Sequence, residues 1–102
     1  MKTQVTFRHV NGHHPNLHDA AILEAEQFRK YHDGIISTHV EFINETQKTV
    51  LITIQVQGAT LAAKDESDDF KKSLSAASDK IIRQIQKLKT KAQAARTKTD
   101  VA

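Results

Sequence analysis

Residues 67–95 read SDDFKKSLSAASDKIIRQIQKLKTKAQAA, and this stretch decides the fold. Phe70, Leu74, Ala77, Ile81, Ile85 and Leu88 recur every three or four residues, the period of a helix with one buried face. Ser67, Asp68 and Asp69 supply capping oxygens and negative charge at the end where a helix dipole favours them. Nothing interrupts the pattern for about 28 residues, a helix of roughly 40 Å at 1.5 Å per residue. With Ile81 turned inward, Lys80, Arg83, Lys87 and Lys91 fall on one neighbouring stripe, with Lys72 at its edge. One face requires a core, and the adjacent face attracts negative charge.

The upstream chain reads as the support for that helix. Lys2 to Val10 alternates as a strand, with Val5 and Phe7 on one side. Asn11 to Asn16 is a turn containing the only proline, and Asn16 is placed to cap a helix over Leu17 to Tyr31. Leu17, Ala21, Phe28 and Tyr31 share its inner face, and Asp33-Gly34 supplies the stop. Strands follow at Ile36 to Asn44, Thr49 to Gln57 and Ala59 to Lys64. The clearest is the second of these, whose core side is Val50, Ile52, Ile54 and Val56. The order β-α-β-β-β-α predicts an α/β two-layer sandwich. A four-stranded sheet carries both helices on one face, the first strand parallel to the second and the last three an antiparallel meander. Its α-β-β-β-α part resembles a double-stranded RNA-binding domain in element order. One domain over 1–95 is expected, with 96–102 a polar, flexible tail.

Charge is unevenly placed. Residues 70–102 carry nine Lys/Arg against two acids, and residues 1–69 carry six against ten, within a net charge of +3. A basic helix on a mildly acidic body suggests a polyanion docked at a defined place, and a solvated lysine-rich face is the plainer alternative. No apolar run reaches the ~20 residues of a membrane span, and the N-terminus lacks a signal-peptide block. The absence of cysteine excludes disulfides and thiolate zinc sites, and a cytoplasmic location is the expectation.

Other chemistry has little to stand on. His14 and His18 have the i, i+4 spacing of metal ligands, but Pro15 intervenes and no third ligand is spaced to join them. There is no nucleophile motif, P-loop or dinucleotide fingerprint. Asp65, Glu66, Asp68 and Asp69 read as turn and helix cap rather than as paired catalytic carboxylates. No enzyme activity, cofactor or metal is expected. With aromatic residues at 5%, base stacking cannot be the main mode of nucleic-acid contact; phosphate contact from a basic helix remains.

The run Asp79-Lys80-x-x-Arg83-Gln84-x-x-Lys87-x-Lys89-x-Lys91 resembles, position by position, the second helix of short-form ribosome hibernation promoting factors and the related ribosome-associated inhibitor (sigma-54 modulation protein-like). Asp68 and Phe70 match the start of that helix, and Leu17, Tyr31-x-Asp33 and Ile35 match the first helix and its turn. The resemblance implies a non-catalytic translation silencer of stationary phase or stress, seated in the mRNA and tRNA channel of the small ribosomal subunit. It implies rRNA contacts at Lys80, Arg83, Lys87, Lys89 and Lys91, with Lys72 added from the stripe. It implies the small subunit and its rRNA as partners, with no membrane and no small-molecule substrate, and a monomer in solution. The chain departs from the family at Glu24 and Gln27, where lysine or arginine is usual, and at Phe7, where glycine is common. It ends before the dimerisation domain of long-form members, so direct bridging of two ribosomes is not expected. Two alternatives stand beside this reading: a generic double-stranded RNA-binding module, and a protein–protein regulator anchored by Ile82, which lies off the apolar stripe.

Overall fold

The computed structural model describes residues 2–12 and 14–101, with side chains for 2–12 and 14–88. The elements run β1 (Lys2–Arg8), α1 (Pro15–Tyr31), β2 (Ile35–Asn44), β3 (Lys48–Val56), β4 (Ala59–Ser67) and α2 (Phe70–Val101). They form a two-layer α/β sandwich in the expected order. The sheet runs β1-β2-β3-β4, with β1 parallel to β2 and the other pairs antiparallel. The expected tail, 96–102, falls on residues whose side chains lie outside the described ones.

Strand alternation produces the core. Val40 and Phe42 of β2, with Val50, Ile52, Ile54 and Val56 of β3, face the helices and are buried. Ala21, Ala25 and Phe28 of α1 and Phe70, Leu74, Ala77, Ile81 and Ile85 of α2 close over them. Phe42 joins the layers, stacked on Phe7 at 5.1 Å and edge-on to Phe70 at 5.4 Å. The opposite face carries Gln4, Thr6, His39, Glu41, Thr53 and Gln55. Ile43 and Thr49 are buried there as well. Arg8 stands opposite Ile43 in register and donates to Glu41 at 3.0 Å.

Element ends depart from the periodic reading where backbone chemistry takes over. β1 stops at Arg8 rather than Val10, because His9 turns to a left-handed φ of 58°. Helix α1 begins at Pro15, whose fixed φ suits the first helical position; His14 is the N-cap and Asn16 is not. The helix ends at His32 in extended conformation, its N–H bonded to the Phe28 carbonyl. Gly34 does not form a left-handed cap there; its N–H donates to His32 Nδ1 at 2.9 Å. Tyr31 is 37% exposed, not a core residue, while Ala25 is fully buried. β2 starts one residue early at Ile35, with a register shift before Ser37 that turns Ile36 outward. β3 is shifted one residue toward the N-terminus, at Lys48–Val56. β4 continues three residues beyond Lys64, so Asp65 and Glu66 lie in a strand rather than a turn.

Candidate nucleic-acid interface

The N-terminus of α2 is secured by short polar side chains. Asp69 Oδ1 accepts the Lys71 N–H at 3.1 Å, and Ser67 Oγ accepts the Asp69 N–H at 3.2 Å. Ser73, fully buried, donates to the Lys48 carbonyl at 2.6 Å and ties the first turn to the start of β3. A serine within an apolar stripe carries no periodic signal, so this anchor was not legible from spacing.

Further along, one flank of α2 overhangs β4, an edge strand. Lys80 Nζ donates to the Lys64 carbonyl at 3.2 Å and pairs with Asp65 Oδ2 at 3.0 Å. One turn on, Gln84 Nε2 donates to the Ala62 carbonyl at 2.8 Å. The Lys80 bond, aided by the Glu66 N–H, holds the Asp65 carboxyl below the usual carboxylate range. Lys80 and Gln84 therefore mark the sheet-edge flank. Arg83 and Lys87 stand above them, exposed and without a hydrogen-bond or ion-pair partner among the described residues. Lys72 is exposed and loosely paired with Asp68 at 3.5 Å, an i, i+4 surface contact of little energetic weight. The expected contacts Lys89 and Lys91 lie on α2, and their side chains are outside the described ones.

The other flank of α2 meets α1. Leu17 of α1 lines one hollow with Phe70 and Lys71, whereas His18 lines another with Phe7. The Leu17 flank of α1 thus turns toward α2, and Glu24 and Gln27 follow it at helical spacing. Glu24 is half-buried and Gln27 exposed. Ile82 is half-buried against the core, so it is not the exposed anchor that a protein–protein docking role would use. Two histidines near the start of α1 have local partners: His14 Nε2, at the N-cap, lies 2.8 Å from the Asn11 carbonyl, and His18, in the first turn, lies 3.6 Å from Asp19. Among the described residues, no three His, Asp or Glu side chains cluster for a metal. Among the described residues, no helix is long and apolar enough to cross a membrane.

These features define a class: a small α/β sandwich that lays a long basic helix along the edge of its sheet. The chain belongs to the family described as Sigma 54 modulation protein / S30EA ribosomal protein, which matches residues 3–93. Among solved structures it is similar to a ribosomal subunit interface protein from Coxiella burnetii. The two share 26% identity at a TM-score of 0.75, over 88% of this chain and 99% of that one. The Protein Y N-terminal domain of Thermus thermophilus shares the fold, at 16% identity and a TM-score of 0.77, over 86% of this chain and 99% of that one. No curated protein sequence matches the chain.

Proposed function

We propose that this protein is a ribosome-associated silencer of translation. It docks the exposed face of α2 on rRNA of the small subunit, in the channel used by mRNA and tRNA. The observation that carries the reading is the pair Arg83 and Lys87, exposed, unpartnered among the described residues and one helical turn apart on a domain of this family. Arg83 has the planar fork to hold a phosphate with two parallel bonds, and Lys87 adds a point charge. Their neighbours on the helix face are polar, and no ring is presented for base stacking. Recognition is then by charge and shape, not by base identity. Lys72, at the other end of the face, adds charge once released from Asp68. The work of such a protein is occlusion: it occupies a site and needs no bond to be made or broken. The likeness to a protein of the ribosomal subunit interface supports the partner, and the cytoplasm is where that partner resides.

Sedimentation tests this directly. Purified protein mixed with ribosomes, isolated small subunits or an A-form RNA duplex is spun at a series of salt concentrations. Co-sedimentation with small subunits that fades steeply with salt is the expected result. Equal affinity for the free duplex would favour a generic double-stranded RNA-binding module, and failure to sediment with ribosomes at low salt would overturn the proposal.

A further inference from the structure

The basic stripe is not uniform. Lys80 is only half as exposed as a free side chain, at 51%, and its ammonium is already engaged by the Asp65 carboxylate and the Lys64 carbonyl. An ammonium has three N–H donors, so two of the three are used within the domain. The Lys80–Asp65 pair is close to neutral as a unit. Moving Lys80 onto a phosphate would strand Asp65, only 25% exposed, without its cation. Gln84 repeats the arrangement one turn later on the carbonyl of Ala62. β4 is one of the two edge strands, where outward-facing ladder groups lack a strand partner. The two side chains therefore cover that edge and fix the azimuth of α2 against it. Arg83 lies between Lys80 and Gln84 in sequence, and Lys87 follows one turn beyond Arg83. Rotation or lifting of the helix at this point would redirect both.

We infer that Lys80 and Gln84 form a clamp on the outer edge of β4, and that Lys80 is a positioning residue for Arg83 and Lys87 rather than a phosphate contact. The clamp stands on the distances alone; its bearing on affinity rests on the ribosome-docking reading. It also divides the stripe by role. The cations that read the polyanion are those left over once the edge of the sheet has been served.

The test uses the full chain with small ribosomal subunits over a salt series. Lys80→Asp should weaken binding, and the swap Lys80→Asp with Asp65→Lys should restore it to within about twofold of wild type. The swap restores the pair but moves the cation from the helix to the strand. Lys80→Met, which keeps the apolar stem, should lower affinity while leaving the log–log salt slope unchanged. Arg83→Gln should flatten that slope by about one unit. A swap that stays as weak as Lys80→Asp, or a Lys80→Met slope lower by about one unit, would make Lys80 a contact and overturn the inference. NMR titration of the Asp65 carboxyl gives a readout independent of ribosomes. The carboxyl should titrate below its ordinary range in the wild type and move up in Lys80→Met. No movement would show that the clamp does not exist, whether or not ribosomes bind.

Discussion

The two helices lie on one sheet face, yet they are attached by different means. Helix α1 contributes Ala21, Ala25 and Phe28 to the core, begins without a side-chain cap and ends on an extended histidine. Helix α2 contributes a longer apolar stripe, and it is also fastened at Ser73, Lys80 and Gln84 to carbonyls of β3 and β4. An apolar stripe fixes which face is down but tolerates small rotations, because it is non-directional. Hydrogen bonds to fixed carbonyls remove that freedom. The helix proposed to present charge in a set direction is the one that carries the directional bonds. Among the described residues, the helix that mainly covers the core makes no such bond to the sheet.

Truncations in each helix give the largest effects. Phe28→Ala in α1 should cost about 3–5 kcal/mol and Ile81→Ala in α2 about 2–5 kcal/mol, since both side chains are fully buried. Chemical denaturation measures both, and a loss below roughly 0.5 kcal/mol at either would put that residue on the surface. Next is the fastening that α1 lacks. Ser73→Ala removes the donor to the Lys48 carbonyl and should cost about 1–3 kcal/mol. A neutral result would remove the distinction between the helices at that turn.

The pH dependence of the Lys80–Asp65 pair is smaller. Its carboxyl titrates lower in the folded chain than in the unfolded one. The pair's contribution is therefore complete above the ordinary carboxylate range and is lost as pH falls through the depressed value. The stability gap between wild type and Lys80→Met should be constant near neutral pH and close on acidification. A gap that persists in acid would show that the lysine stem, and not the pair, fastens the helix.

The smallest effect should come from charging α1. Gln27→Lys, at an exposed position on the flank turned toward α2, should steepen the salt dependence of ribosome binding by at most about one unit. An unchanged slope would confine the interface to the β4 side of α2.

Periodicity revealed the parts of this structure that obey it. The phase of α2 from Ile81 and Ile85, the core side of β3 and the parallel pairing of β1 with β2 were all readable. What escaped was set by bonds across the fold. Tyr31 has helical spacing to Phe28, but the chain leaves the sheet there. Asp65 and Glu66 look like turn residues until β3 pairs with them. The charges of the candidate site were visible as a stripe. Which of them were free was not, because the partners of Lys80 lie 15 and 16 residues upstream on another element.

In the proposed function, exposed, unpaired cations on α2 dock this domain on a ribosomal polyanion. The direct measurement is the salt dependence of small-subunit binding for wild type and for Arg83→Gln with Lys87→Gln, with folding checked by thermal unfolding. The expected result is an unchanged melting temperature, weaker binding, and a log–log slope flatter by about two units. A folded double variant that binds with the wild-type slope would contradict it.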